Sequence, residues 1–263
     1  MKVRTQRMGL VLLTSLIVVS GVGVGFAGED KMTPHYLWMW EDCIEPAQME
    51  AHMKGRAQQV QLAAENGFEF SYFRFVQAFN VLTWAAFDKF ELLDSFVEMM
   101  AEYDQKTGGK NKKLDDQCAK YVRSTSSSLA VYRPDLSYYP EKPLFTPDYS
   151  KPFFVVTVAY HVKPDKFDRA VEIAQRIKEL YEKSQAPVGY RAYEKLCGSD
   201  LPTFFAVIYA KDKAQLVENE EKNQEQDPIS AQIERLFNAN LDVLSGIDTV
   251  ERQYVPEMSY MPR

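Results

Sequence analysis

The sequence is poor in the residues from which most metal and redox sites are built. It contains three cysteines, at positions 43, 118 and 197, and three histidines among 263 residues. Their spacing matches no zinc motif, which needs close Cys or His pairs, so we expect no metal site. An odd number of cysteines allows at most one disulfide, and the sequence leaves open whether any pair forms.

Basic residues and enzyme motifs are also scarce. Lys and Arg number 31 against 37 Asp and Glu, which gives a formal charge of −6 and argues against a nucleic-acid partner. The sequence has no Gly-rich phosphate loop, no G-x-S-x-G and no H-E-x-x-H. With 46% apolar and 13% aromatic residues, the chain is globular and not disordered, but no motif names a reaction.

Only the N-terminus carries a long apolar run. Three basic residues precede an uncharged apolar segment over residues 8–27, and Gly25 and Ala27 supply the small residues of a cleavage site. This pattern predicts a secretory signal peptide over residues 1–27, a periplasmic or secreted location and no membrane span in the mature chain. The alternative is a retained anchor, since the run is about long enough to cross a bilayer.

The rest of the chain contains the same pattern twice. The nonapeptides YRPDLSYYP (Tyr132–Pro140) and YVPEMSYMP (Tyr254–Pro262) agree at five of nine positions and lie 122 residues apart. Three shorter matches follow in the same order at offsets of 118 to 124 residues. The sequence therefore predicts a duplication, with a first repeat over 33–133, a Pro-rich linker over 134–152 and a second repeat over 153–263.

Each repeat shows the element order β-α-β-β-α-β. In the second repeat the patterns predict strands at 153–162, 189–197, 203–210 and 250–255, and helices at 165–181 and from 212, resuming after Pro228 to about 244. In the first repeat they predict strands at 35–44, 68–75, 80–86 and 129–132, helices at 47–65 and 89–103, a basic loop at 108–113 and a helical piece at 114–123. This is the order of the ferredoxin-like split βαβ unit, an α+β fold.

The strand–Pro–helix openings FFVVTVAYHVKPDKF and YLWMWEDCIEPAQM carry a resemblance to a known superfamily. The chain resembles a tandem fusion of two dimeric α+β barrel units, as in antibiotic-biosynthesis monooxygenases, NIPSNAP-like proteins, haem-degrading monooxygenases and chlorite-dismutase-type enzymes. The resemblance implies two fused ferredoxin-like units forming a pseudo-twofold α+β barrel. It also implies a monomer, because fusion supplies the partner, and it allows haem as a cofactor that the sequence itself does not require.

Strand alternation separates two sets of side chains. Trp38, Trp40 and Asp42 are expected to face the helices, as are Val156, Val158 and Tyr160. Glu41, Cys43, Thr157 and His161 are then expected to face a shared interior, where they become candidate ligand-binding residues. The other two histidines, His35 and His52, are expected at the surface or at the boundary of the core.

A second pair of candidates comes from one strand. Asn80 and Trp84 lie four residues apart, so they share a face. The cofactor-free monooxygenases of the superfamily use Asn and Trp with a His or Tyr, so the resemblance implies Asn80, Trp84 and His161 as catalytic candidates, with Trp84 also at the ligand. A purely structural role is the alternative for each.

Aromatic residues crowd the first repeat, either as a ligand pocket or as core filler. The leading hypothesis is an exported protein that binds a small apolar or aromatic molecule. The alternatives are a cofactor-independent or haem-linked oxidoreductase of the monooxygenase type, and an envelope interaction module.

Overall fold

The computed structural model of the chain describes residues 35–217 and 228–262, so the predicted signal peptide lies outside the described residues. The chain divides into two compact units. The first unit comprises the described residues of 35–131, 149–152 and 252–262, and the second comprises those of 132–148 and 153–251. Among the described residues, no helix combines the length and the apolar character needed to cross a membrane.

The first unit is an antiparallel sheet with helices on one face. Its elements are β1 (Tyr36–Ile44), α1 (Met49–Asn66), β2 (Tyr72–Gln77), β3 (Asn80–Phe87), α2 (Leu92–Lys106), α3 (Lys110–Ala119) and β4 (Val122–Tyr132). The strands lie in the order β4-β1-β3-β2, and Tyr254 near the C-terminus pairs with Phe75 of β2.

Strand register confirms the expected division of β1 into two faces. Directly opposite residues of antiparallel strands share a face, and Met39, Glu41 and Cys43 lie opposite Trp84, Leu82 and Asn80 of β3. Asp42, one residue out of phase, contacts Arg56 of α1. The odd-numbered residues of β1 therefore lie on the face away from the helices.

The second unit repeats this plan. Its elements are β5 (Phe154–Val162), α4 (Phe167–Ser184), β6 (Arg191–Cys197), β7 (Thr203–Ala210), α5 (Pro228–Asn238) and β8 (Leu244–Tyr254, of which residues 244–251 belong to this unit). The strands lie in the order β8-β5-β7-β6. Val156 and Val158 of β5 pack with Ile173 and Ile177 of α4 in a buried core. The expected α+β fold of two ferredoxin-like units is confirmed.

Equivalent elements of the two units start and end 118 residues apart. This offset holds for β1 and β5, for the 3-10 turns that follow them (Pro46–Gln48 and Pro164–Lys166), and for α1 and α4. Two isolated bridges are also equivalent, since Tyr72 pairs with Tyr260 as Tyr190 pairs with Tyr138; Tyr72 and Tyr190 are 118 residues apart, and their partners are 122 apart. Tyr138 and Tyr260 are the seventh residues of the two repeated nonapeptides, so the duplicated sequence makes duplicated contacts.

Several predicted boundaries are wrong. Residues 110–113 begin α3 instead of lying in a loop, β4 starts at Val122 instead of 129, and α5 ends at Asn238 instead of near 244. The last strand, β8, has 11 residues where a short one was expected. The middle of β4, RSTSSS, has no apolar alternation, and pairing with β1 over Tyr36–Ile44 makes it a strand. Tertiary pairing overrides local preference here.

Candidate functional site

The first unit encloses a large cavity between its sheet and its helices, which we call the arginine cavity. Its volume is about 670 Å³, within the range of small-molecule sites. The aromatic part of its lining includes Trp38, Trp40, Phe70, Tyr72, Phe96 and Tyr103. The polar part includes Asp42, Arg56, Gln59 and Arg74. All four of these polar residues are buried, so the cavity joins aromatic walls to buried charge.

Arg56 projects from α1 into a fully paired network. Its Nη1 donates to Asp115 Oδ1 at 2.6 Å and to Gln59 Oε1 at 3.0 Å, while Nη2 lies 3.5 Å from Asp42 Oδ2. Asp42 Oδ1 in turn accepts from Thr125 Oγ1 at 2.7 Å. Two carboxylates therefore compensate the charge of Arg56.

Arg74, on β2, is buried without such compensation. Its Nη1 donates to the carbonyl oxygen of Met258 at 2.8 Å, and Nη2 lies 3.5 Å from Gln59 Oε1. Nε has no hydrogen-bond partner, and the guanidinium carbon lies 4.7 Å from the ring centroid of Tyr72. Burial, and then Arg56, lower the pKa of Arg74 to about 10. The guanidinium thus remains charged at neutral pH.

Two tyrosines of the cavity lining and one nearby cysteine are neutral at pH 7. Burial raises the pKa of Tyr72 and of Tyr103, and the Tyr103 hydroxyl has no hydrogen-bond partner. Burial likewise raises the pKa of the Cys118 thiol. These three side chains therefore supply no negative charge to compensate Arg74.

His52 is fully buried, which corrects the expectation that it lies at the surface or at the boundary of the core; His35 is exposed as expected. His52 lies one helical turn before Arg56, whose Nε donates to His52 Nε2 at 3.4 Å. Burial, and then Arg56, lower the pKa of His52 to about 4, so the ring is neutral. The buried residues of α1 are His52, Gly55, Arg56, Gln59 and Ala63, so His52 lies on the inward face of the helix.

The second unit has a much smaller, apolar cavity at the equivalent place, of about 100 Å³. Its lining includes Tyr160, Ala170, Ala174, Ile177, Tyr181 and Ala192. These residues lie 118 positions after Asp42, His52, Arg56, Gln59, Ala63 and Arg74 respectively. The two units thus share a scaffold, and the ionic network of the first is replaced by apolar side chains and tyrosines in the second.

The residues of this network were not among the predicted site residues, although the sequence carries a signal for them. His52, Arg56, Gln59 and Ala63 recur at the spacing of one helix face, and the offset of 118 sets each against an apolar residue or tyrosine. An alignment of the two repeats at an offset of 118 residues identifies these four as positions where the two units differ in character.

Four of the predicted site residues lie on the helix-free face of the first unit. Glu41 accepts from Arg252 Nη2 at 2.7 Å, and half-buried Cys43 lies opposite Asn80. Trp84 is buried with its ring centroid 4.3 Å from that of Phe75, and its Nε1 has no hydrogen-bond partner. None of these four lines the arginine cavity.

The other two lie in the second unit. Thr157 of β5 is opposite Val207. His161 Nδ1 is 3.1 Å from Thr203 Oγ1 and its Nε2 is 2.9 Å from Asp248 Oδ2, beside a surface cleft of about 380 Å³. A role for these six residues in binding or catalysis stays a prediction.

Among the described residues, the linings of the two helix-side cavities include tyrosines but no histidine as a ligand for haem iron. Haem iron commonly takes a histidine ligand. No group of three His, Cys, Asp or Glu side chains in the described ranges is placed to hold a metal ion. The three cysteines all lie in described ranges and are free thiols.

Similarity to known proteins is found only in structure. No protein-family model matches the chain, and no curated protein does. A proposed monooxygenase from Lactobacillus acidophilus matches with a TM-score of 0.53 and 6% identity, covering 87% of this chain and 97% of its own. An anthrone oxidase-like protein matches with a TM-score of 0.53 and 14% identity, covering 85% and 91%. A proposed monooxygenase from Fusobacterium nucleatum matches with a TM-score of 0.54 and 10% identity, covering 85% and 93%.

The chain has the dimeric α+β barrel fold. A chlorite dismutase from Candidatus Nitrospira defluvii shares it, with a TM-score of 0.50 and 9% identity over 86% of this chain. At these identities the likeness concerns the dimeric α+β barrel fold alone. Such folds carry unrelated functions, so function has to be argued from the site.

Proposed function

We propose that the first unit binds a small, flat, largely apolar molecule in the arginine cavity. The observation that carries this proposal is the difference between two copies of one scaffold. The cavity is about 670 Å³ in the first unit and about 100 Å³ at the equivalent place in the second. A space of several hundred Å³ walled by aromatic rings is typical of a ligand site.

The size difference has a local cause. Ala63 of α1 lines the arginine cavity, whereas Tyr181 lines the small cavity at the equivalent position of α4. Tyr181 is fully buried, and its ring packs 5.6 Å from that of Tyr138 and 5.1 Å from that of Tyr190. Space that the second unit fills with a tyrosine ring is open in the first.

The test uses N-phenyl-1-naphthylamine, a neutral aromatic dye that fluoresces when it leaves water. We expect saturable binding to the purified protein. Ala63→Tyr, which introduces the residue of the second unit, should weaken binding about tenfold or more. Ala51→Tyr places the same side chain on an exposed position of α1 and should leave binding unchanged.

Absence of saturable binding in the wild type, or equal binding by both tyrosine variants, would reject the proposal. The interaction-module hypothesis would then come first. Melting temperatures of the two variants separate loss of the cavity from loss of the fold.

Oxidation of the bound molecule is the second candidate function. It is favoured by the shared fold with two proteins described as proposed monooxygenases and one described as anthrone oxidase-like. Oxygen uptake with anthrone as the test substrate decides it. Uptake that Ala63→Tyr abolishes and Ala51→Tyr retains would support it, and no uptake above the buffer rate would reject it for that substrate.

We further propose that the chain is exported, cleaved after Ala27 and monomeric. The support is the N-terminal sequence pattern and the presence of two units in one chain. Intact mass and N-terminal sequencing of the exported protein, followed by light scattering, test the three points. A retained N-terminus, or a mass twice that of the chain, would contradict cleavage or the monomer respectively.

A further inference from the structure

We propose that the molecule bound in the arginine cavity is an aromatic anion whose acidic group is held by Arg74. This inference rests on the proposed function and names the chemical class of its ligand. It is carried by a buried positive charge that the cavity leaves without a counter-charge.

The charges around the cavity do not balance at Arg74. Asp42 and Asp115 both contact Arg56, whereas the hydrogen-bond partners of Arg74 are the uncharged oxygens of Met258, Gln59 and Tyr72. Removing a charged group from water without a partner of opposite charge destabilises the folded protein. An anion entering the cavity would supply that partner.

Arg74 also has a hydrogen-bond donor without an acceptor. A guanidinium has five N–H groups, and the contacts to Met258, Gln59 and Tyr72 do not use all of them, the one to Gln59 being long at 3.5 Å. Nε, although buried, has no partner at all. Arginine binds planar carboxylates through two parallel N–H groups, and Arg74 still has such donors free.

The scaffold itself does not require this arginine. The backbone N–H of Arg74 donates to Ser259 Oγ at 2.8 Å, and that of Ala192 donates to Ser137 Oγ at 2.8 Å. The same strand and nonapeptide therefore assemble with a methyl group in place of the guanidinium. What Arg74 adds is a charge facing a cavity that the second unit does not have at comparable size.

The rest of the lining determines the body of the ligand. Trp38, Phe70 and Phe96 line the same cavity as Arg74, and Trp38 and Phe70 each pack against Phe96 with ring centroids 5.4 and 5.8 Å apart. Aromatic surfaces of this kind favour a planar ring system. The proposed ligand is thus a molecule of two or three fused rings with one carboxylate or an equivalent acidic group.

A matched pair of competitors tests the charge directly. 1-Naphthoate and 1-naphthalenemethanol have the same ring system and differ in whether they carry a negative charge. Each is titrated against N-phenyl-1-naphthylamine bound to the full mature chain. We expect the naphthoate to displace the dye at a concentration about tenfold lower or more, because a buried charge-assisted pair is stronger than a neutral hydrogen bond.

Variants assign the preference to Arg74. In Arg74→Gln the ratio of the two competition constants should fall to about one or two, and in Arg74→Lys it should lie between that value and the wild-type ratio. Arg169→Gln removes an arginine from an exposed site of the second unit and should retain the wild-type ratio.

The outcomes separate the two proposals. If the dye does not bind to the wild type, the proposed function fails and the inference fails with it. If the dye binds and the two competitors are equally effective, only the inference is overturned. Should Arg74→Gln not fold, the wild-type comparison still decides whether the ligand is anionic, and Arg74→Lys decides whether Arg74 holds it.

Discussion

Arg74 and Ala192 occupy the same position in two copies of one structural unit. Each follows by two residues a tyrosine that forms an isolated bridge, Tyr72 to Tyr260 and Tyr190 to Tyr138. Each donates its backbone N–H to a serine of the repeated nonapeptide at 2.8 Å. The two units thus share these backbone contacts, while the side chain at this position is a cation in one unit and a methyl group in the other.

The two serines should contribute equally to stability. Ser259 Oγ accepts from Arg74 N and donates to Val255 O at 2.9 Å, and Ser137 Oγ accepts from Ala192 N and donates to a carbonyl four residues earlier at 2.7 Å. Alanine at either position leaves a buried N–H unpaired, which costs about 1–3 kcal/mol. Urea denaturation should show similar losses for both variants. Ser126→Ala, at an exposed position, should change stability little, and a loss at only one of the two serines would contradict their equivalence.

Protonation of His52 should destabilise the protein in mild acid. Burial, and then Arg56, lower its pKa from 6.5 to about 4. Between these values the unfolded state binds a proton that the folded state does not, so stability falls as the pH drops from about 6.5 to 4, in total by about 3 kcal/mol. Other groups titrate in the same range, so the measurement is the difference between wild type and His52→Gln in urea denaturation across that range. An identical pH dependence, or an NMR titration of His52 near 6.5, would contradict the prediction.

Gly55 should be required by the packing of α1 against α3. A Cβ on Gly55 would lie 2.5 Å from Cys118 Sγ, well inside van der Waals contact. Although alanine is intrinsically better than glycine in a helix by about 1 kcal/mol, Gly55→Ala should destabilise the protein by about 1–3 kcal/mol through overpacking.

The partner substitution provides the control. Combining Gly55→Ala with Cys118→Ala removes the clashing sulfur and should recover most of the lost stability. A double-mutant cycle in guanidinium measures this coupling. Additive losses would show that the two sites do not interact.

Removing the hydroxyl of Tyr160 should stabilise the second unit. The hydroxyl is buried without a hydrogen-bond partner beside the small apolar cavity, so Tyr160→Phe relieves a desolvation cost of about 1 kcal/mol. Tyr138→Phe is the matched control, because its hydroxyl donates to Ala186 O at 2.8 Å and its loss should lower the melting temperature. A lower melting temperature for Tyr160→Phe would indicate that this hydroxyl bonds to water.

Elements with a clear local pattern could be predicted well. The run FFVVTVAYHV ending before Pro164 predicted β5 to within one residue, and the apolar stripe of α4 predicted its buried face, since Ala170, Ile177 and Tyr181 are buried. The polar strand β4 and the helix α3 could not be predicted as well. Their sequences carry little periodicity, and contacts with β1 and α1 stabilise them instead.

The residues of the candidate site were predicted less well than these elements. Parity along β1 predicted that Trp38, Trp40 and Asp42 face the helices, and these residues line the arginine cavity. The predicted catalytic residues of the first unit, Asn80 and Trp84, lie on the opposite face of the sheet. They were chosen because the superfamily uses these residue types. Arg56 and Arg74 were missed because a charged residue on a helix or strand is normally solvated, and the sequence does not show on its own that a charge is buried.

The amino-acid sequence was enough to predict the order of most strands and helices and the α+β fold class. Both predictions depend on local periodicity, turn residues and a repeated nonapeptide, which can be recognised in the sequence without knowledge of tertiary contacts. The sequence does not show which charges are buried, which of them are compensated, or which unit has the larger cavity. These properties depend on the neighbours that distant segments bring together, such as Met258 beside Arg74 and Asp115 beside Arg56, and on the packing that excludes water from them.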